Sequence, residues 1–261
     1  MEIPKIIHFC WFGGNKYPEL VERCIKSWST YCPDYEIVEW NEQNFDINTN
    51  PYVKEAYDNK KWAFVTDYVR LYVLYQLGGV YMDADFELLK NIDELMENST
   101  AFTGYQEQAT IPAAIMGFAP RNVWIKTLLD YYTGRHFVDS EGKMDLTTNS
   151  KIITLLSKIH FNYTVGDRMI NPGYVKLYPD IYFAPYKKTI LGDNVCSLSN
   201  YKIDSAITYG VHHGVGSWYD NTINRKISVT VKGIIRLLSG EYIYSILKKL
   251  FVKLKIIKIN L

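Results

Sequence analysis

The sequence predicts an α/β fold built on a mainly parallel sheet, and three observations carry this prediction. A short apolar run, a helical repeat and an alternating segment follow one another over residues 6–40, which is the pattern of a β-α-β unit. A second helical pattern, over 61–77, ends at Gly78-Gly79 and leads into a short apolar segment. The 261 residues are 48% hydrophobic, which suffices to bury one large core and fits one domain better than two independent ones.

The opening strand and helix are indicated by their apolar spacing. Residues 6–12 are mostly apolar and are closed by Gly13-Gly14, which predicts a buried strand ending in a loop. Pro18 begins a helix whose apolar residues recur every three or four positions as far as Trp28. Tyr35 to Trp40 alternates apolar and polar residues and predicts the second strand.

The next helix covers Lys61 to Leu77 and ends at two glycines, the residue type that favours helix C-caps. Val80-Tyr81-Met82 is too short to form anything but a strand. Because strands alternate with helices up to this point, we expect ligands to bind beyond the carboxyl ends of the strands.

The remaining elements are predicted from shorter patterns. They are strands at Ala101–Tyr105 and Ala113–Phe118, helices at Val123–Tyr132 and Met144–Ile159, short strands and loops over Tyr174–Pro185, and a late strand at Ala206–His213 running into Gly214-Val215-Gly216.

The cysteines and the N-terminal residues indicate a reducing compartment. The four cysteines form no CxxC pair, so buried, reduced thiols are expected at Cys10, Cys24, Cys32 and Cys196. The first residues lack the pattern of an export signal, and no run is long and apolar enough to span a bilayer. We therefore expect a cytoplasmic protein.

The charge is divided unevenly between a body, residues 1–224, and a tail, residues 225–261. The tail holds nine basic residues and one acidic residue, so a net charge of +1 leaves about −7 for the body, which disfavours nucleic-acid binding. Six apolar tail residues share one helical stripe: Ile243, Ile246, Leu247, Leu250, Leu254 and Ile257. This pattern favours an interfacial amphipathic helix on an anionic membrane, peripheral on the inner face of the plasma membrane. The alternative is a helix docked on the body.

The central functional candidate is Asp83-Ala84-Asp85, at the end of the strand that follows the two glycines. Carboxylates two residues apart on an extended chain point to opposite sides, so they can serve one site only if the chain bends there. One can then bind a hard divalent cation while the other reaches a ribose or a metal-bound water. The alternative is a solvated acidic turn with Glu87 nearby.

Two further groups of residues have the chemistry of a ligand site. Asp67 and Arg70 are three residues apart on one helix face, so they either bind hydroxyl and phosphate oxygens or form an ordinary surface ion pair. Trp11 offers an aromatic face to a nucleobase, with core packing as the alternative.

The segment HHGVGSW at 212–218 provides the last candidates. Adjacent histidines on a strand point to opposite faces, so at most one of His212 and His213 is expected in the site, and the alternative is a packed core histidine. A neutral imidazole suits a Mn²⁺-like ion, and Ser217 can add an oxygen.

These segments, in this order, resemble the DXD glycosyltransferases of family 32, which include bacterial capsule and lipopolysaccharide transferases and yeast initiating mannosyltransferases. The matching stretches extend over most of residues 1–220: IPKIIHFCWFGG at 3–14, SW at 27–28, WNEQNFD at 40–46, AFVTDYVRLYVLYQLGGVYMDADFELL at 63–89 and HHGVGSW at 212–218. The Asp-x-x-Arg, Gly-Gly-x-Tyr and Asp-x-Asp arrangement is also similar to the core of the large clostridial glucosylating toxins.

The resemblance implies a Rossmann-like GT-A fold and a retaining, metal-dependent hexosyltransferase. The expected cofactor is Mn²⁺ or Mg²⁺. The expected donor is a UDP-sugar such as UDP-galactose, UDP-GlcNAc or UDP-GalNAc, with GDP-mannose as the second choice. The acceptor would be a saccharide, free or lipid-linked, in the synthesis of capsule, O-antigen or another surface polysaccharide.

The resemblance also implies roles for individual residues. Asp85 would bind the metal, Asp83 would hold the ribose and assist with the metal, and Asp67 and Arg70 would hold the donor sugar. The other expected nucleotide-sugar contacts are Trp11, stacking on the base, Ser217 and Trp218, closing over the diphosphate, and His8 and Tyr81 within the matching stretches.

The chain departs from the pattern at two places. The toxins carry a carboxylate three residues before the equivalent serine, where this chain has Gly214, so we nominate His213, ahead of His212, as the remaining metal ligand. Many family members carry Thr-Gly-Pro after the middle helices, and the nearest match here is Thr147-Thr148-Asn149.

Two other functions are compatible with aspartates near a metal. A nucleotide-sugar hydrolase or pyrophosphorylase would normally show a basic, glycine-rich phosphate loop near the first strand, and WFGGN at 11–15 lacks the basic residues. A non-catalytic relative that binds nucleotide sugars or carbohydrate would be marked by a broken metal motif, and here Asp83 and Asp85 are both present.

Overall fold

The computed structural model describes residues 2–105, 110–164, 166, 169–170, 175–183 and 198–214. The predicted tail at 225–261, its boundary at 224, and Ser217, Trp218 and Cys196 lie outside these ranges. The chain divides into two compact units, residues 1–185 with 203–218 and residues 186–202 with 219–261. The described part of the second unit, 198–202, begins with a 3₁₀ turn at Leu198–Asn200.

The described part of the first unit alternates strands and helices over its first half. Its strands are β1 Ile6–Cys10, β2 Glu36–Trp40, β3 Gly79–Met82, β4 Phe86–Leu88, β5 Ala101–Gly104, β6 Ile115–Phe118, β7 Met169–Ile170, β8 Val175–Tyr178 and β9 Gly210–His212. Its helices are α1 Glu19–Tyr31, α2 Pro51–Asp58, α3 Trp62–Leu77, α4 Asp93–Met96, α5 Val123–Asp130 and α6 Asn149–Phe161. Short 3₁₀ turns lie at Ile47–Thr49 and Asp180–Tyr182.

Seven of these strands form one sheet in the order β2-β1-β3-β6-β5-β8-β7. The pairs β1/β2, β1/β3 and β5/β8 are parallel, while β6 is antiparallel to both neighbours and β7 is antiparallel to β8. Five of the seven strands therefore run in one direction, and the prediction of a mainly parallel α/β sheet is confirmed. β4 and β9 pair with each other as a separate antiparallel ribbon.

Both faces of the central strand β3 are buried. Val80 and Met82 pack in a cluster with Trp28 of α1, whereas Tyr81 packs in a second cluster with Trp124 of α5. Helices thus cover the sheet on two sides, which explains why β3 is apolar without alternation.

The α3–β3 junction is set by two glycines. The N–H of Gly78 donates to the carbonyl of Leu74 at 3.0 Å and ends α3, as predicted. Gly79 has a φ of +99°, and a Cβ there would lie 2.8 Å from the carbonyl oxygen of Ile6. Only glycine therefore lets β3 start beside β1 so soon after the helix.

Several element boundaries differ from the prediction. The helix expected from Met144 begins at Asn149, because Asp145 accepts a hydrogen bond from the amide of Thr147 in a turn. The strand expected from Ala206 begins at Gly210, because the amide of Thr208 donates to the carbonyl of Asp204. Helix α2 was not predicted, although Asn50 caps it and Pro51 occupies its first turn.

Cys10, Cys24 and Cys32 are buried and reduced, as expected. Within the described ranges, no helix combines the length and apolar composition needed to cross a bilayer.

Candidate active site

The site forms where the chain bends after β3. The amide of Asp83 extends the ladder by donating to the carbonyl of Ala114 at 2.9 Å, and the amide of Phe86 donates to the carbonyl of Asp83 at 2.8 Å. The second bond closes a tight turn over Asp83–Phe86. This is the bend that the sequence required for the two carboxylates to serve one site.

His212 completes a group of three candidate metal ligands with Asp83 and Asp85. Their ligand atoms all lie within 4.8 Å of one another. β9 pairs with β4 so that His212 stands opposite Phe86, and its Nε2 lies 3.3 Å from Oδ1 of Asp85 and 3.7 Å from Oδ2 of Asp83.

The structure places His212 beside the two aspartates, in place of the nominated third ligand His213. His213 is buried, and its Nε2 lies 2.8 Å from Oε2 of Glu87. Since neighbouring side chains on a strand point to opposite faces, bringing His212 to the aspartates turns His213 away from them. The sequence predicted that at most one of the two histidines joins the site but could not show which one.

Arg70 orients the carboxylates. Its guanidinium donates to Oδ1 of Asp83 at 2.9 Å and to Oδ1 of Asp67 at 3.1 Å. Further bonds go to the carbonyls of Ala113 at 2.8 Å and Thr66 at 3.4 Å. Arg70 is 5% exposed, so its pair with Asp67 is not the ordinary surface ion pair considered as the alternative. Most of its N–H groups are bound within the protein and are not available to a ligand.

Tyr81 helps to fix Asp83. Its hydroxyl donates to Oδ1 of Asp83 at 3.1 Å, and its ring lies 4.6 Å from the guanidinium carbon of Arg70. With Oδ1 held by Arg70 and Tyr81, Oδ2 is the oxygen that Asp83 turns toward His212.

Asp67 is a buried carboxylate beside this network. Burial raises its pKa to about 6, although the positive charge of Arg70 and a hydrogen bond from Asn149 oppose the rise. The pKa of His212 is also above its ordinary value, because the carboxylates of Asp85 and Asp83 outweigh the opposing effect of burial. Asp85 and Asp83 therefore favour a positive charge at the position of His212.

Sequence reasoning missed Asn149. Its Nδ2 donates to the carbonyl of Asp67 at 3.3 Å, and its buried Oδ1 accepts no hydrogen bond within the described part of the chain. Its position in Thr147-Thr148-Asn149 was the available signal, since that triplet stands where relatives carry a motif. A buried acceptor left without a donor is uncommon, so Oδ1 of Asn149 is a candidate acceptor for a ligand hydroxyl.

His8 belongs to the core and not to the site, contrary to its inclusion among the nucleotide-sugar contacts. Its ring is fully buried, Nδ1 accepts from the indole of Trp40 at 3.1 Å, and Nε2 donates to the carbonyl of Gly78 at 2.9 Å. Both nitrogens are thus used by the protein. Burial lowers the pKa of His8 to about 4, which keeps the ring neutral.

Trp11 follows β1 and remains partly exposed. Its indole N–H donates to the carbonyl of Asn15 at 2.7 Å, and its ring packs edge-on against Tyr17. The ring therefore remains accessible to solvent. Its contact with a nucleobase stays a prediction.

The chain is similar in sequence to a glycosyltransferase family and to curated proteins of fungi. Residues 18–102 match the family described as "Glycosyltransferase sugar-binding region containing DXD motif". The chain is 33% identical over 121 residues to inositol phosphoceramide mannosyltransferase 3 of Schizosaccharomyces pombe, covering 45% of this chain and 33% of that protein. It is 24% identical over 193 residues to the mannosyl phosphorylinositol ceramide synthase SUR1 of Saccharomyces cerevisiae, covering 70% of this chain and 50% of that protein.

The chain thus spans a third to a half of the length of these curated relatives. Among solved structures it is similar to a glycosyltransferase involved in glycosylation of the major capsid of PBCV-1. That match has a TM-score of 0.46 and 10% identity, and it covers 82% of this chain and 95% of the other. The family match contains Asp67, Arg70, Tyr81, Asp83 and Asp85, and together with the curated relatives it supports a glycosyltransferase with a DXD sugar-binding region.

Proposed function

We propose that the protein is a metal-dependent, retaining glycosyltransferase that moves a hexose from a nucleotide sugar onto a saccharide or a lipid-borne acceptor. The observation that carries this proposal is the convergence of Asp83, Asp85 and His212 in a bend after β3, with the buried Asp67–Arg70 pair beside them. Ligands of α/β sheets bind at this edge, beyond the carboxyl ends of parallel strands.

The ligand set fits a divalent cation. Two carboxylates and one imidazole suit Mn²⁺ better than Ca²⁺, which prefers oxygen ligands alone. Asp85, His212 and Oδ2 of Asp83 would hold the ion. When bound, the ion would supply positive charge against the diphosphate that leaves with the nucleotide.

The remaining residues of the site would position the donor sugar. Asp67 can accept hydrogen bonds from sugar hydroxyls through the carboxylate oxygen that Arg70 does not hold. Oδ1 of Asn149 offers a second acceptor beside it. Arg70 and Tyr81 keep Asp83 in one orientation, and such preorganisation is a main source of catalytic power.

We assign no side chain as nucleophile. Retention through a covalent intermediate would require a carboxylate on the face opposite the leaving group. We propose instead that the acceptor attacks from the side of the leaving diphosphate, with a diphosphate oxygen taking the acceptor's proton. Isolation of a glycosyl adduct on any side chain of the protein would contradict this route.

The identity of the donor is inferred from the names of the curated relatives and from the family resemblance. One curated relative is named a mannosyltransferase and another a mannosyl phosphorylinositol ceramide synthase, which favours GDP-mannose, while the family resemblance keeps UDP-sugars as candidates. Their names also contain inositol phosphoceramide and mannosyl phosphorylinositol ceramide, which favours an acceptor headgroup carried on a lipid.

A thermal-shift screen tests the proposal. Purified protein is heated with UDP, GDP and their sugar conjugates, in Mn²⁺ or in EDTA. A ligand that binds the native state alone raises the melting temperature by mass action. We expect a metal-dependent rise with one nucleotide family that is lost in Asp85→Ala and kept in Asp58→Ala, a change in an exposed ion pair on α2. A rise without turnover would indicate a non-catalytic binding protein, and no rise with any nucleotide would contradict the proposal.

Membrane contact through the tail at 225–261 belongs to the same proposal. An acceptor on a lipid would place the reaction at the cytoplasmic face of a membrane. We expect the full chain to float with anionic vesicles and a chain truncated before Phe251 to float less. Equal flotation would count against this role of the tail.

A further inference from the structure

Two buried residues, Glu87 and His213, and the exposed Arg23 form a network next to the candidate metal site. His213 Nε2 lies 2.8 Å from Oε2 of Glu87, and the guanidinium of Arg23 on α1 contacts the same carboxylate at 3.1–3.2 Å. Glu87 and His213 are 6% and 4% exposed. The nucleotide-sugar chemistry proposed above makes no use of these three residues.

The network is not a second metal site, although Cys24, Glu87 and His213 bring their ligand atoms within 4.8 Å of one another. Arg23 already places a guanidinium against the carboxylate, and a metal ion would have to lie beside that positive charge. Burial alone would raise the pKa of Glu87, but His213 and Arg23 more than compensate and hold it below its ordinary value. Glu87 is therefore an ionised carboxylate whose negative charge is already compensated by Arg23.

The location of the network connects it to His212. The ribbon of β4 and β9 has three paired residues on each strand and is separate from the seven-stranded sheet. β4 is anchored to α1, since the indole of Trp28 donates to the carbonyl of Phe86 at 2.7 Å and the amide of Leu88 donates to the hydroxyl of Ser27 at 2.9 Å. The amides of Tyr209 and His212 also donate to the carbonyls of Tyr182 and Phe183, at 2.8 and 3.1 Å. Because the ladder to β4 is short, side-chain contacts across the ribbon add to these backbone bonds in placing the end of β9.

We propose that Glu87 and His213 are positioning residues for the metal site: their buried contact fixes the end of β9 on β4 and thereby holds His212 against Asp83 and Asp85. The amide of His213 supports the same arrangement by donating to the carbonyl of Asp85 at 3.1 Å. This inference rests on the proposed metal site. Beyond that site, it assigns the position of the third ligand, His212, to two residues that do not contact the ion, Glu87 and His213.

The test is direct Mn²⁺ binding to the purified full chain, measured from the EPR signal of free Mn²⁺. We expect Glu87→Ala to weaken Mn²⁺ binding about 10- to 100-fold, the usual effect of losing a group that orients a metal ligand. Glu87→Gln should stay within about threefold of the unchanged chain, because its amide oxygen still accepts from His213. Mg²⁺ binding, followed by competition, should fall less, because Mg²⁺ relies on oxygen ligands more than on an imidazole.

The matched control is Glu55→Ala. Glu55 also contacts a histidine, His136, at 2.6 Å and accepts from the amides of Phe137 and Val138, but it lies on α2, outside the metal site and the ribbon. We expect Glu55→Ala to lower thermal stability while leaving the affinity for Mn²⁺ and the ratio of Mn²⁺ to Mg²⁺ affinity unchanged.

The possible results distinguish the positioning role of Glu87 and His213 from the metal site itself. Absence of Mn²⁺ binding by the unchanged chain would overturn the metal site itself. Normal binding by that chain and by folded Glu87→Ala would overturn the positioning role and leave the metal site intact. An equal loss for Mn²⁺ and Mg²⁺, matched by Glu55→Ala, would also overturn it, since that is the result of general destabilisation. Should Glu87→Ala not fold, His213→Ala decides in the same way, because it leaves Glu87 paired with Arg23.

Discussion

At the scale of single residues, the site depends on a few polar atoms whose partners are fixed by burial. Arg70 stands between two carboxylates that would repel each other without it, and its planar fork reaches Asp67 and Asp83 together. A lysine in its place would keep the charge but could not hold both acids and the carbonyl of Ala113 in one geometry.

We therefore predict that Arg70→Lys lowers kcat/KM for sugar transfer about 100-fold, the scale of loss expected when reacting groups are misplaced by about 1 Å. The melting temperature should fall only slightly, since the buried positive charge is retained. Steady-state kinetics with the donor identified by the thermal-shift screen give the measurement. Arg135→Lys, at an exposed arginine, serves as the control and should behave as the unchanged chain. Full activity of Arg70→Lys would show that its fork is dispensable.

For Asn149 we predict that substitution lowers the affinity for the donor sugar without lowering the stability of the protein. Removing a buried acceptor that has no partner also removes its desolvation cost, which is about 1–3 kcal/mol. Asn149→Ala also loses the hydrogen bond that Nδ2 donates to the carbonyl of Asp67, which offsets this gain. The variant should therefore unfold near the urea concentration of the unchanged chain, while KM for the donor sugar rises about tenfold. Ser150→Ala, the next residue on α6, should alter neither quantity. Unchanged KM in Asn149→Ala would remove Asn149 from the donor site.

At the scale of elements, the α3–β3 junction delivers Asp83 to the sheet edge, and its glycines explain why it can be so short. Gly79→Ala would place a Cβ 2.8 Å from the carbonyl of Ile6 and 2.9 Å from Nε2 of His8, at a φ of +99°. We predict a loss of at least about 3 kcal/mol in the free energy of unfolding, from strain and overpacking together. Gly14→Ala is the matched control, because Gly14 also has a positive φ but faces open space, and its cost should be about 1 kcal/mol. Urea titrations of the two variants make the comparison, and equal losses would contradict the role of packing at Gly79.

The same junction shows which features of the site the sequence could predict. The helix, the glycines, the strand and the Asp-x-Asp bend are adjacent in the chain, so their order alone placed Asp83 and Asp85 at a strand end. The choice between His212 and His213 depended on the register of β9 against β4, strands more than 100 residues apart, and local patterns carry no information on that register. Asn149 was missed for a similar reason, since its contact with Asp67 is made between helices α6 and α3.

At the scale of the whole molecule, the candidate site lies on the parallel half of the sheet, which is also the half that the alternation of strand and helix patterns in the sequence predicts best. β1, β2 and β3 run side by side in one direction, and the bend after β3 opens at their carboxyl edge. The assembly of this half depends on His8, which joins β1 to the β2 residue Trp40 and to the end of α3 at Gly78. A neutral ring is required, because Nδ1 accepts one hydrogen bond while Nε2 donates the other.

His8 should therefore make the stability of the protein depend on pH. In the unfolded chain its pKa is near 6.5, whereas burial lowers the pKa in the folded protein to about 4. Above pH 6.5 the ring is neutral in both states and contributes no pH dependence. As the pH falls from 6.5 toward 4, the unfolded chain binds a proton that the folded protein does not, so stability is lost by up to about 3 kcal/mol.

We predict that His8→Gln, which keeps an N–H for the carbonyl of Gly78, is less stable than the unchanged chain at pH 7.5 but loses less of its remaining stability between pH 6.5 and 4.5. Urea titrations at several pH values supply the free energies of unfolding. The difference between the two proteins isolates His8 from the other ionisable groups, and His160→Gln, at an exposed histidine, serves as the control and should follow the unchanged chain. Parallel curves for His8→Gln and the unchanged chain would mean that His8 can take up a proton without unfolding, and hence that its hydrogen bonds to Trp40 and Gly78 do not hold the sheet together.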